Sequence, residues 1–293
     1  MTPTGTAPHT AAGSLVEDLP PLRDCLAAAG IAADKGLGQH FLLDLNICRK
    51  IVRLAGEVTD GLVIEVGPGP GGLTRSLIEA GARVVVIEKD RRFLPLLEAV
   101  AVRSPGRLTI IEGDALAVDE AAIAAGIAPG QAIRLVSNLP YNVGTPLLVK
   151  WLTGPLRPTA MTLMFQKEVA RRIVAAAGDD DYGRLAVLTQ ALANARIVMD
   201  LPARAFTPPP KVDSAVVSIT PLANPPAARI VAALQTLTQA AFGQRRKMLR
   251  SSLRIHGGAD LCLSAGIDPN ARAETIPVTG FLALAEAWLA PRV

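Results

Sequence analysis

From residue 61 onward, short apolar runs alternate with helix-like stretches. The runs at 62–66, 84–87, 108–111, 133–136 and 161–165 are mostly apolar throughout and do not alternate with polar positions. Short continuous apolar runs mark strands covered on both faces, as in a parallel sheet. Helices are expected in the intervals, at 73–80, 93–100, 120–125 and 146–152, which gives the strand–helix alternation of an α/β fold. Two further strands are expected at 195–201 and 212–220, suited to an antiparallel edge. Between them lies Pro208-Pro209-Pro210, which cannot be helix. Beyond Asn224-Pro225-Pro226 the pattern becomes rich in alanine and leucine, and helices are expected at 227–242, 246–255 and 281–289. No internal repeat is visible.

Length and composition divide this pattern. A chain of 293 residues exceeds what one core usually fills, so two domains are expected. We assign residues 1–34 to a flexible leader, 35–222 to the sheet domain and 223–293 to a small helical domain. Half of the residues are apolar and 19% are charged, yet no apolar run reaches the ~18 residues that span a bilayer. The first 18 residues lack the basic start and apolar block of a signal peptide. A soluble, cytoplasmic protein without a membrane is expected. Cys25, Cys48 and Cys262 are widely spaced and sit in no Cys/His cluster, so neither a disulfide framework nor a metal site is indicated.

The net charge is only +4, but a pI near 9.2 makes nucleic acid a plausible partner. Placement matters more than the total. Arg245, Arg246, Lys247, Arg250 and Arg254 fall between Phe242 and His256, a stretch that contains no acidic residue. Arg246, Arg250 and Arg254 repeat at i, i+4, which on a helix gives one cationic face. Lys167, Arg171 and Arg172 show helical spacing after a strand and form a second candidate for phosphate contact.

The strand at 62–66 runs into Gly67-Pro68-Gly69-Pro70-Gly71-Gly72 and then a helix. Glycines at the carboxyl end of a strand let backbone approach a nucleotide closely, and Gly67, Gly69 and Gly72 satisfy GxGxxG. Glu88 follows about 20 residues later at the end of the second strand, where a carboxylate can take ribose hydroxyls. This loop alone indicates an adenosine-containing cofactor and leaves a nicotinamide dinucleotide and S-adenosylmethionine both open. Asp114, after the third strand, stands at the same rim and suits an adenine amino group. The fourth strand ends in Asn138-Leu139-Pro140-Tyr141, whereas a dehydrogenase would need a hydride-transfer acid or base in a facing domain.

The Asn-Leu-Pro-Tyr turn suggests the chemistry. The N6 amine of adenine is a poor nucleophile because its lone pair is conjugated with the ring. The Asn138 side-chain oxygen and the Leu139 carbonyl can accept from its two N–H groups and turn the lone pair toward a sulfonium methyl. Pro140 fixes the turn, and Tyr141 offers a face on which an extruded base can stack. No strong general base is needed.

Seven segments together resemble the bacterial small-subunit (16S) rRNA adenine N6,N6-dimethyltransferases, over residues 37–289. They are Gly38-Gln39-His40-Phe41-Leu42, Glu65-Val66-Gly67-Pro68-Gly69, Glu88-Lys89-Asp90, Gly113-Asp114-Ala115, Asn138-Leu139-Pro140-Tyr141-Asn142, Gln166-Lys167-Glu168-Val169 and the run from Phe206 to Ser214. The resemblance implies a Rossmann-like class I methyltransferase sheet with a small C-terminal α-helical domain. The implied cofactor is S-adenosylmethionine. His40 and Leu42 would border it from a segment, 35–42, that folds back as a lid. Gly67 and Gly69 would meet its methionine part, Glu88 its ribose, Asp114 its adenine, and Asn138 both cofactor and target amine. Many such enzymes carry Asn at the position of His40, so a backbone contact is what carries over there. Leu139, Tyr141 and Phe206 complete the implied catalytic set, with Tyr141 and Phe206 on either side of the target base. Lys167, Arg171, Arg245, Arg246, Lys247 and Arg250 are the expected RNA contacts. The expected partner is 16S rRNA in the small subunit, methylated on two adjacent adenosines near its 3′ end, with the protein acting as a monomer in subunit biogenesis. The rivals are a large-subunit rRNA adenine methyltransferase and a non-catalytic assembly factor.

Overall fold

A computed structural model describes residues 18–34, 36, 38–244 and 246–290. Helix α1 (Leu22–Ala28) leads to a two-residue strand β1 (Phe41–Leu42) and helix α2 (Leu45–Ala55). The alternating core follows: β2 (Gly61–Val66), α3 (Gly72–Glu79), β3 (Arg83–Glu88), α4 (Leu94–Arg103), β4 (Leu108–Glu112), α5 (Glu120–Ile127), β5 (Ala132–Asn138), α6 (Gly144–Thr153) and β6 (Ala160–Gln166). Then come α7 (Lys167–Val174), α8 (Arg184–Leu192), β7 (Ala193–Leu201), β8 (Phe206–Thr207) and β9 (Ser214–Pro221). The chain ends in α9 (Ala228–Gly243), α10 (Leu249–Ser252), α11 (Gly258–Ser264) and α12 (Val278–Leu289).

Seven strands form one sheet in the order β4-β3-β2-β5-β6-β9-β7, parallel from β4 to β6 and antiparallel at β9 and β7. Successive strand residues face opposite sides. Val63, Val84, Val86 and Val136 therefore join one apolar cluster, with α2, α3 and α4. Leu62, Ile64, Val85 and Leu135 join the other, with α5, α6 and α7. This double coverage explains why the strands read as unbroken apolar runs. The strand order, which runs outward through β3 and β4 on one side of β2 and through β5 and β6 on the other, switches between the parallel neighbours β2 and β5 and opens a crevice at their carboxyl ends, where α/β sheets bind ligands.

Three local expectations need correcting. The leader is not loose as far as residue 34. Leu22 and Leu26 of α1 are 3% and 8% exposed, and the buried Arg75 of α3 donates through Nη1 to the Pro20 carbonyl at 2.7 Å. Only its first 17 residues lie outside the described residues. Next, 246–255 is not a single helix. Leu249 and Arg250 donate their amides to the carbonyls of Ala271 and Pro269, and Gly257 and Gly258 adopt left-handed φ of 119° and 56°. The segment is thus a turn, the four-residue α10 and a 3-10 turn, so Arg246, Arg250 and Arg254 share no helix face. Finally, α2, α8 and α11 were not expected.

The C-terminal helices build a third cluster around Leu234, Leu237, Leu249, Cys262, Phe281 and Leu284. Tyr182, Ala186 and Val187 belong to it although they precede residue 222, and the Tyr182 hydroxyl donates to the Ile276 carbonyl at 2.9 Å. Truncating Leu22 tests the seating of α1. Leu22→Ala should lose about 2–5 kcal/mol of stability in denaturant unfolding, as for other buried leucines. A silent substitution would mean that α1 does not pack.

Candidate active site

The loop after β2 carries Gly67, Gly69 and Gly71, with φ of 66°, 53° and 84°. Close approach adds to this conformational demand. A Cβ on Gly67 would lie 3.0 Å from Cγ of Pro140, and one on Gly72 would lie 2.7 Å from the Leu42 carbonyl oxygen. The loop is therefore pressed between the Asn138–Tyr141 turn and β1. Strand β1 is held in turn by β8, with Phe41 opposite Thr207 and Leu42 opposite Phe206.

These elements enclose one cavity. It is lined by His40 and Leu42, by Glu65 and the glycine loop, by Glu88, by Gly113, Asp114 and Ala115, and by Asn138 to Val143. Gln39 fastens the N-terminal wall, its Nε2 donating to Asp90 at 2.8 Å. The Asp90 carboxyl is lowered to about 2, first by its hydrogen bond from Arg92. Residues 38–42 thus form one wall of the cavity, while Lys35 and Leu37 of the expected lid lie outside the described residues.

Two carboxyl groups are buried here. Glu88 is 5% exposed and accepts from the amides of Gly69 at 3.0 Å and Asp90 at 2.8 Å, while burial raises its pKa. Glu65 is 2% exposed; burial raises it to about 8, although the Thr74 hydroxyl donates to it at 2.7 Å. A buried acid in this state favours a cation placed beside it. Asp114 is more open and is held below its usual value, first by Lys89 at 2.9 Å.

The fourth strand ends at Asn138, whose Nδ2 donates to the His40 carbonyl at 3.4 Å. That leaves the side-chain oxygen as the acceptor facing the cavity. Tyr141 is fixed at both ends: its hydroxyl is 2.6 Å from Ser214 Oγ, and the His40 ring stacks on it with centroids 5.4 Å apart. His40 Nδ1 lies 2.8 Å from the Pro208 carbonyl oxygen, which ties the lid to the proline run.

A model of the ribosomal RNA adenine dimethylase family matches residues 31–289. The chain belongs to that family. The Ribosomal RNA small subunit methyltransferase A of Phenylobacterium zucineum is 65% identical over 278 residues, which is 94% of this chain and 95% of that protein. Its namesake in Caulobacter vibrioides is 66% identical over 257 residues, 88% of this chain and 98% of that protein. A dimethyladenosine transferase from Plasmodium falciparum has the same fold, with a TM-score of 0.68 at 24% identity over 84% of this chain and 96% of that one. For the 23S rRNA methyltransferase ErmE the TM-score is 0.61 at 26% identity, over 84% and 98%.

In this adenine dimethylase Phe206 sits apart from the cavity lining. It is 3% exposed and packs in the same cluster as Phe41 and Val136. It pairs in β8 opposite Leu42, while the His40 ring stacks on Tyr141. The basic residues lie outside the cavity. Lys167 and Arg171 border a groove with Lys211, and Lys167 pairs with Asp200 at 2.9 Å. Lys247, Arg250 and Arg254 line another groove against α9, while Arg246 is exposed in the preceding turn and Arg245 lies outside the described residues. Sequence reasoning missed Glu65, Gln39 and Ser214 as working parts, although each falls within a segment that carried the family resemblance.

Glu65 generates a pH prediction. The folded protein keeps this proton up to about 8, whereas the unfolded chain releases it near 4.5, the ordinary value for a glutamate. Stability should therefore fall as pH rises between those values and level off above them. Glu65→Gln should flatten that decline in thermal melts, and an unchanged pH profile would refute the assignment.

Proposed function

We propose that the protein uses S-adenosylmethionine to dimethylate the N6 amines of two adjacent adenosines near the 3′ end of 16S rRNA in the small ribosomal subunit, and so serves subunit biogenesis. The observation that carries this reading is the contact between Gly67 and Pro140, which sets a nucleotide loop against an Asn-Leu-Pro-Tyr turn in one cavity. Membership of the adenine dimethylase family and the names of the relatives support it.

The residues present suit the cofactor. A glycine cradle that a Cβ would fill and two buried carboxyl groups match a ligand with cationic centres and vicinal hydroxyls. Bound there, the cofactor supplies an electrophilic methyl on sulfonium sulfur. Gly67 and Gly69 give it backbone contact, Glu88 receives the ribose and Asp114 the adenine, while His40 and Leu42 close the N-terminal side. The Asn138 side-chain oxygen and the Leu139 carbonyl accept from the two N–H groups of the target amine, which aims its lone pair into the cavity. Tyr141, with His40 on one face, leaves the other for the base, a stack worth about 1–3 kcal/mol. Lys167, Arg171, Arg245, Arg246, Lys247 and Arg250 meet phosphates. In this reading the protein works in the cytoplasm as a monomer and needs no metal ion.

Incubation with undermethylated small subunits and methyl-labelled cofactor should yield N6,N6-dimethyladenosine at two neighbouring positions near the 3′ end. Label in large-subunit RNA would favour the other rRNA reading. Asn138→Ala should cut the rate by about 10²-fold or more, as when a preorganised polar group is removed. A variant that loses this rate yet still supports subunit assembly in cells would favour an assembly role without catalysis, and one that keeps the full rate would refute the role given to Asn138. RNA affinity should fall steeply with salt, and Lys247→Ala with Arg250→Ala should reduce the log–log slope by about two. An unaltered slope would exclude phosphate contact by this groove.

A further inference from the structure

The rim that carries Asp114 is a single tight turn capped at both ends. At its start the Asp114 side chain accepts from the Leu116 amide at 2.9 Å, and the Asp114 carbonyl accepts from the amides of Ala117 and Val118 at 2.8 and 3.0 Å. Gly113 allows this fold-back, since a Cβ there would lie 2.9 Å from Val118 Cγ2. At the other end the turn leaves carbonyls without intrahelical partners, as every helical turn does. Lys150 takes them. Its Nζ donates to the carbonyls of Ala115 and Val118, each at 2.6 Å, and pairs with Glu120 Oε2 at 2.6 Å. An ammonium has three N–H donors, and all three are used. Glu120, 2% exposed, is completed by the indole of Trp151, whose Nε1 donates to Oε1 at 3.1 Å.

Lys150 stands on α6, which begins two residues after Asn142 and is the continuation of the Asn138–Tyr141 turn. The helix rises by about 9 Å from Gly144 to Lys150, so one rigid element joins the target-amine end of the cavity to its adenine end. Replacing a buried ion pair by apolar residues often leaves stability unchanged. The saturated ammonium is better understood as a device for geometry. Arginine could not substitute, because a planar fork does not reach three convergent acceptors.

We propose that Lys150 is a positioning residue: by fixing the carbonyls of Ala115 and Val118 it holds the Asp114 turn in register, and thereby sets cofactor affinity and the preference for adenine as its base. This rests on the reading above that S-adenosylmethionine binds with its adenine at Asp114.

The test measures binding of S-adenosylhomocysteine and of S-inosylhomocysteine, in which an oxygen replaces the adenine amine, to wild type, Lys150→Met, Lys150→Arg and Glu120→Gln. Wild type should prefer the adenine compound. Lys150→Met should weaken that compound about tenfold while changing the inosine compound by less than about twofold. Lys150→Arg should fail to restore the preference. At saturating cofactor kcat should stay within about threefold of wild type, with the loss confined to the cofactor KM. Glu120→Gln keeps both carbonyl contacts and should show a smaller loss in the same direction; it decides the matter if Lys150→Met does not fold. Equal weakening of both compounds, or wild-type preference in Glu120→Gln and Lys150→Met, would overturn the proposal. A wild-type protein that binds neither compound would instead remove the cofactor reading on which it stands.

Discussion

Strands β2 and β5 lie side by side, and the loops leaving their carboxyl ends must pass within van der Waals contact. At Gly67 and Pro140 that contact is already as close as a hydrogen in place of a side chain permits. A larger residue at 67 would push the two loops apart and separate the glycine loop from the turn that carries Asn138. The rest of the site follows from this closeness. β1 can lie over the loop only because Gly72 leaves room for the Leu42 carbonyl, and the lid, anchored through β1, brings His40 over Tyr141.

The electrostatics of the cavity depend on the same enclosure. Glu65 and Glu88 are buried together by the doubly covered sheet, and burial raises both. Burial thus disfavours the ionised form of both groups, and a positive charge placed beside them would offset that cost.

The parallel strands were legible because each is buried on both faces and so reads as a continuous apolar run. The antiparallel edge was legible from the proline break. What escaped reading had specific causes. α2 does carry a helical period, Cys48, Ile51, Val52 and Ala55 on one face behind an Asp44 cap, but it precedes the strand–helix alternation that begins at residue 61. α8 is buried almost all round and has no polar face to set a period. The cationic face expected at 246–255 failed because i, i+4 spacing presumes a helix, and two backbone amides there are satisfied by another loop. At the site, the motifs located the loops but not the orientation of side chains within them. Phe206 lies in a segment that carried the resemblance, and its burial in the cluster with Phe41 and Val136 depends on packing that the sequence does not display.

Helix α8 belongs to two cores at once. Leu185 packs with the sheet, while Ala186 and Val187 pack with the C-terminal helices. The catalytic half has therefore not kept an independent exterior on that side. Severing the chain after Leu222 would not release a minimal enzyme; it would lay bare an apolar flank and strip Tyr182 of its acceptor. Rearrangement of these two halves by fusion or exchange should succeed only where α8 travels with the helices it serves.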